Sequence, residues 1–237
     1  MTRVIDLNAD LGEGITDDAG LLELVTSANL ACGYHAGDAE IMRTVCGLAA
    51  ARGVAVGAQV SYADRENFGR VARDVAFELL RDQVEDQVST LARIAEAAGT
   101  RVGYVKPHGA LYNTVVHHEE QARAVLAGSA DLPVLGLPGS ALLRLAADTG
   151  RTCVREGFPD RGYTAQGTLL PRGEPGALLD DPSVIASRAV AMARSGQVSS
   201  VCVHGDSPGA VRTATQVRRA LRSAGFELRA FTAGGDR

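Results

Sequence analysis

The amino-acid sequence predicts an α/β chain whose parallel strands close into a (β/α) barrel. Three observations carry this. Short apolar runs alternate with helical patterns along the whole length, which argues for a parallel sheet with crossover helices. Seven or eight similar units recur, and the two commonest nucleotide signatures of open sheets are missing: no GxGxxG follows the first strand and no GxxxxGK[ST] occurs. Polar residues gather just after the strands in unit after unit, as they do at the C-terminal rim of a parallel barrel.

The candidate strands are residues 4–7, 30–32, 54–58, 102–105, 134–137, 153–155 and 200–203, with a weaker eighth at 226–231. Between them lie helices with clear punctuation. Asp38 caps a helix that ends before Gly53, and a long amphipathic segment from Asp74 to Ala98 ends at Gly99. Asp181-Pro182 and Ser207-Pro208 each supply a cap followed by proline at the first helical position, with Gly196 and Gly225 after the two helices. "PGS" at 138–140 opens another helix. One barrel domain spans residues 1–237. The irregular Gly- and Pro-rich stretch at about 157–180 reads as an active-site lid or an inter-subunit contact rather than a linker.

Composition narrows the partners. The chain has 237 residues, is 46% apolar and 22% charged, and carries 4% aromatics and no Trp, so its core should be rich in Ala, Val and Leu. A net charge of −4 with no run of like charges offers no basic field, which excludes nucleic acid and anionic membrane as expected partners. The first residues lack the apolar region of a secretory signal, and no apolar run approaches the roughly 18 residues a membrane helix needs. Cys32, Cys46, Cys153 and Cys202 share no CxxC spacing and read as reduced thiols, so a cytoplasmic location is expected.

The strand ends carry the chemistry. Asp6, Asn8 and Asp10 alternate and share one face of an extended chain. His35 and Asp38 follow the second strand; Gln59, Ser61, Tyr62 and Asp64 the third; Glu156, Asp160, Arg161 and Tyr163 the sixth; His204 and Asp206 the seventh. The fourth delivers "VKPHGALYN". Lys106 there is the only lysine among 24 Lys and Arg residues. A purely structural cation could as easily be Arg in such a chain, so Lys106 points to function. His117 and His118 precede a helix and read as solvated. The helix after Ser207-Pro208 offers an anion site beside His204. His/Asp clusters suit zinc or manganese, with Asp10, His35, His108 and His204 as candidate ligands, yet no HxxxH or HExxH spacing compels a metal. The "DxNxDxG" segment lacks the Glu of a calcium loop's twelfth position and is strand-like, so calcium is not expected.

Together "DLNADLGEG", "SANLACGYHAGD", "VKPHGALYN", "FPDRGYTAQGTLLPR" and "CVHGD", in order over residues 4–206, resemble the LamB/YcsF family, identified with the A subunit of ATP-dependent 5-oxoprolinase. The resemblance implies an irregular seven-stranded TIM-like barrel akin to glycoside hydrolases and polysaccharide deacetylases. It implies cleavage of 5-oxo-L-proline to L-glutamate coupled to ATP hydrolysis, with Mg accompanying ATP, and work in a complex with the B and C subunits. It carries Asp6, Asn8, Asp10, His35, Asp38, Lys106, His108, Tyr112, Asp160, Arg161, His204 and Asp206 onto this chain as family positions. One unit departs from the pattern: the family's "GAHPSYPD" is here "GAQVSYAD", so Gln59 replaces a His and Val60 a Pro.

On this reading Lys106 stabilises a phosphate or an oxyanion, and His108 is the general acid or base. Asp10 and His35 orient water or bind a metal. Asn8, Asp38, Tyr112, Arg161, His204 and Asp206 bind substrate or phosphate, Arg161 as a bidentate clamp. Two alternatives stand beside it: a stand-alone metal-dependent amidase or deacetylase, and a non-catalytic binding subunit of the oxoprolinase complex.

Overall fold

The computed structural model of the chain describes residues 3–15, 17–206 and 209–234. Seven strands form a closed parallel barrel: β1 (Arg3–Leu11), β2 (Ser27–Ala31), β3 (Ala55–Val60), β4 (Val102–Pro107), β5 (Val134–Gly136), β6 (Cys153–Gly157) and β7 (Ser200–Val203). Each pairs with its neighbour in sequence, and β1 pairs with both β2 and β7, which closes the ring. A short β8 (Phe226–Leu228) adds to the first residues of β1. The ring is irregular. β4 and β5 share the single register pair Val105–Val134, and β6 and β7 share only Glu156–Ser200 and Gly157–Val201.

Eight helices accompany the strands among the described residues: α1 (Asp18–Leu22), α2 (Ala39–Arg52), α3 (Phe77–Ala97), α4 (Gly109–Thr114), α5 (Glu119–Gly128), α6 (Ala141–Asp148), α7 (Pro182–Ser195) and α8 (Ala210–Ser223). The expected punctuation has its physical basis here. Asp38 accepts from the backbone N–H groups of Glu40 and Ile41, both at 2.9 Å, and Gly53 ends α2 at φ 65°. Asp181 caps α7 ahead of Pro182, and Gly196 ends it at φ 68°. Ser140 caps α6. The long helix begins at Phe77, not Asp74, because no side chain caps it and residues 72–76 remain irregular. The cap and proline expected at Ser207 and Pro208 lie outside the described residues.

The period-two pattern of β1 sets the architecture. Ile5, Leu7, Ala9 and Leu11 face outward into the main hydrophobic core, beneath the helices, while Asp6, Asn8 and Asp10 face the barrel interior. The core is dominated by Ala, Val and Leu, as the composition requires. One end of the barrel is plugged by Tyr104, Leu135 and Val154 with Phe231 packed against them, the Tyr104 and Phe231 rings 4.8 Å apart. The other end is where the polar strand termini converge. No helix among the described residues is long and apolar enough to cross a membrane.

Candidate functional site

A ladder of buried polar side chains runs up the barrel interior. In the lowest layer Asp6 accepts from Thr26 at 2.6 Å, from Ser27 at 2.7 Å and from Ser200. Above it Asn8 donates to Ser200 at 2.6 Å. Asn29 donates to Asn8 at 2.7 Å and to Asp10 at 2.8 Å, and its oxygen accepts from Tyr104 at 2.7 Å. Burial pushes Asp6 up to about 6 despite its hydroxyl partners. These layers are closed to the cavity above and hold the next tier in place.

Lys106 occupies that tier at 2% exposure. Its Nζ is 2.9 Å from Asp10 Oδ1, 2.9 Å from Glu156 Oε1 and 3.3 Å from Cys202 Sγ. Burial opposes its charge, but Asp10, Cys202 and Glu156 hold its pKa well above the ordinary lysine value. Burial likewise works against an ionised Asp10, yet Lys106, His204 and His108 keep Asp10 well below the usual carboxylate range. The negative charges that meet the lone lysine are therefore two carboxylates, from β1 and β6.

Asp10 and Lys106 form part of the lining of a cavity of about 540 Å³ over the barrel mouth. His108, Tyr112 and His117 contribute from the β4–α5 side. Phe158, Arg161, Leu169, Leu170 and Arg172 contribute from the 157–180 stretch, and Arg70 and His204 complete the rim. Four of these residues are Lys or Arg, and Asp10 is the single carboxylate in the lining, which suits an anionic ligand. Burial and the Glu156 carboxylate push Tyr112 well up, so its phenol stays protonated. His204 Nδ1 is 2.8 Å from Asp160 Oδ2, and the His204 backbone N–H donates to the same oxygen at 3.1 Å. Burial would raise Asp160, but His204 lowers it, leaving a carboxylate that orients an imidazole at the cavity wall.

Behind His108 lies a second cluster. The His35 and His108 rings stack with centroids 4.0 Å apart, and Phe68 meets both edge-on at 5.7 Å. His108 Nδ1 is 2.9 Å from Gln59 Nε2 and 3.8 Å from Glu13 Oε1. Its Nε2 is 3.2 Å from the Phe68 carbonyl. Phe68 stands at φ 57°, a strained position for a bulky side chain, and the turn it makes aims that carbonyl at the imidazole. Burial depresses His108 to about 4 and, with the neighbouring His108 charge, holds His35 well below its ordinary value. Burial and then Asp10 push Glu13 up to about 8. Donor atoms of Glu13, His35 and His108 all lie within 4.8 Å of one another.

A family model described as the LamB/YcsF family matches residues 5–235. The chain belongs to the LamB/YcsF family. It is 54% identical to the A subunit of 5-oxoprolinase from Streptomyces avermitilis, over 96% of this chain and 100% of that one. Among solved structures it resembles a lactam utilization protein from Thermus thermophilus, with 38% identity, a TM-score of 0.90 and coverage of 96% and 100%. A polysaccharide deacetylase from Bacillus cereus shares 13% identity at a TM-score of 0.55, covering 99% of this chain and 94% of that one, which is a likeness of fold alone. The expected kinship with deacetylase barrels is thus present at the level of the fold.

Within this LamB/YcsF chain the expected residues separate into groups. Asp10, Lys106, His108, Tyr112, Arg161 and His204 come together around the cavity. His35 lies just behind, stacked on His108. Asn8 is sealed in the ladder. Asp38 is not brought to the cavity; its carboxylate is occupied in capping α2. Arg161 lines the cavity but spends Nε on the Ala177 carbonyl at 3.0 Å and Nη2 on the Leu170 carbonyl at 2.6 Å, tying the 157–180 stretch to itself. Asp206 pairs with Arg70 at 2.5 Å and with Arg172 at 3.6 Å. Of the metal candidates, Asp10 is bound to Lys106 and His204 to Asp160, while His35 and His108 share one cluster. Glu13, Arg70 and Arg172 join the site without being singled out by the sequence pattern. Glu13 stands within "DLGEG" and carried a signal there; the two arginines are two among 23 and carried none.

Proposed function

We propose that the chain is the A subunit of a 5-oxoprolinase, cleaving the cyclic amide of 5-oxo-L-proline to L-glutamate in an assembly with the B and C subunits that hydrolyses ATP with Mg. The full-length 54% identity to a protein of that name carries the reading. The cavity supports it: its lining sets Lys106, Arg70, Arg161 and Arg172 against one carboxylate, which suits a lactam bearing a carboxylate group.

A five-membered lactam is an unstrained amide, and its hydrolysis near neutral pH is unfavourable without coupling. Phosphorylation of the amide oxygen makes the ring carbon electrophilic and gives the site a developing negative charge to stabilise. In the proposed mechanism Lys106, held charged by Asp10 and Glu156, faces that charge. His204, oriented through Nδ1 by Asp160, moves the proton. Asp10, ionised at the cavity floor, orients water. His108, with both ring nitrogens engaged by Gln59 and Phe68, shapes the wall and is a weaker candidate for the base than His204.

The test is reconstitution with both partner subunits, measuring oxoproline-dependent phosphate and glutamate release with and without this chain. Lys106→Met and His204→Asn, checked for folding by thermal melting, are expected to lower glutamate release about 100-fold or more. Turnover near wild type in both variants would sink the assignment and leave a binding subunit whose partners do the chemistry. A metal-dependent amidase is the second reading, favoured by the Glu13–His35–His108 cluster; ATP-independent glutamate release by the isolated chain would select it.

A further inference from the structure

We propose that Glu13, His35 and His108 bind one divalent transition-metal ion, and that Gln59 supplies a fourth, weak donor. The inference does not rest on the oxoprolinase reading, because it concerns binding alone.

Four observations carry it. First, these side chains are all buried, at 6%, 1%, 7% and 0% exposure, in a place with no room for an organic ligand: of the four, only His108 reaches the cavity lining. Second, both ring nitrogens of His35 and the Oε1 of Gln59 lack a hydrogen-bond partner among the described residues. Buried polar atoms are rarely left so, and the lone pair of the His35 imidazole together with that of the Gln59 carbonyl points to a shared cation. Third, His108 is oriented as a ligand. Its Nε2 is turned to the Phe68 carbonyl, which leaves Nδ1 as the lone-pair atom facing Glu13, the arrangement by which a backbone carbonyl fixes a metal-binding imidazole. Fourth, the spacing is close to that of a coordination shell. Glu13 Oε1 is 3.8 Å from His108 Nδ1 and 4.0 Å from His35 Nε2. Metal bonds of about 2.1 Å at tetrahedral angles place ligand atoms about 3.4 Å apart, so the two Glu13 edges close by roughly half an ångström, while the His35 ring, stacked on His108 with the planes 14° apart, turns to bring its lone pair to the ion.

Gln59 explains how the cluster is held meanwhile. Its Nε2 stands between Glu13 Oε1, at 3.2 Å, and His108 Nδ1, at 2.9 Å, where its two N–H groups answer the acceptors a cation would answer. A half-turn of the amide brings Oε1 to the same place. Two imidazoles and a carboxylate suit zinc and its neighbours; an amide oxygen is a poorer partner for such ions than an imidazole.

The experiment strips the full chain with a chelator, equilibrates it with zinc chloride, and measures bound metal after gel filtration and affinity by competition with a chromophoric chelator. One zinc per chain is expected. Glu13→Gln and His35→Asn should each weaken binding about tenfold or more. Gln59→His should tighten it and shift the visible absorption of the cobalt-substituted protein. His117→Asn with His118→Asn should leave the affinity unchanged. Binding indifferent to Glu13→Gln and His35→Asn, or lost with the His117 and His118 changes, overturns the proposal. If the first two variants fail to fold, Gln59→His decides: no gain in zinc affinity and an unaltered cobalt spectrum overturn it.

Discussion

Lys106 is the residue on which the interior turns. A single ammonium between Asp10 and Glu156 leaves the tier with more acid than base, which is why the cations that face the cavity from outside, Arg70 and Arg172, matter to any anionic ligand. Deeper down, Asp6 makes a different electrostatic statement. Its folded-state pKa of about 6 exceeds the ordinary 3.8, so the folded chain holds this proton to higher pH than the unfolded chain. Its contribution to stability is full below about pH 4 and is lost as pH rises through about 6. At 1.36 kcal/mol per unit this amounts to about 3 kcal/mol for a fully buried group. The stability of the wild type relative to Asp6→Asn should fall over that window and be flat above pH 7, as followed by denaturant melts. A difference independent of pH would refute the assignment.

Elements place these residues with little freedom. β1 continues to Leu11 because each of its faces meets a matching environment, apolar beneath the helices and hydrogen-bonding within the barrel. α4 starts at Gly109, where φ is 60° and an added Cβ would meet the Gly69 carbonyl oxygen at 2.4 Å. That close approach is what brings the Phe68–Gly69 turn against His108. α2 owes its start to Asp38, and here function and structure part. Asp38→Ala should cost about 1 kcal/mol of stability through loss of the cap, while kcat and KM of the reconstituted enzyme stay unchanged. A rise in KM without loss of stability would restore Asp38 to the substrate site.

The described residues form a closed ring, and the 157–180 stretch lines one side of its cavity. If that stretch is the cover of the mouth, its hold is slight: it has no helix or strand beyond Gly157 and is held by isolated bridges between Arg161 and Leu178 and between Tyr163 and Leu169. Arg161 pins it from below through the Ala177 and Leu170 carbonyls, and its own carbonyl accepts from Arg188 on α7 at 2.6 Å. Arg161→Met should therefore speed hydrogen exchange at the Gly162, Leu170 and Leu179 amides, whose bonds stitch the stretch, and leave α7 protected. Exchange unchanged at those three amides would mean that the backbone bridges alone hold the stretch.

Much of this was legible in the amino-acid sequence, because it depends on local spacing. The alternation of apolar runs with capped helices specified the parallel barrel, and Asp6, Asn8 and Asp10 announced an interior face by period two alone. The five motifs fixed the family. What the sequence could not express was which partner each polar residue would choose. Asp38 and Arg161 looked like site residues in the linear chain, yet one is satisfied by two backbone amides of its own helix and the other by carbonyls 9 and 16 residues away. Glu13 stood in the "DLGEG" motif without a partner the spacing could name, until the ring closed and set it against His35 and His108, 22 and 95 positions further on in the numbering. Hydrogen bonds and charge pairs are decided by distances of a few ångströms between strands remote in sequence, and only closure of the barrel sets those distances.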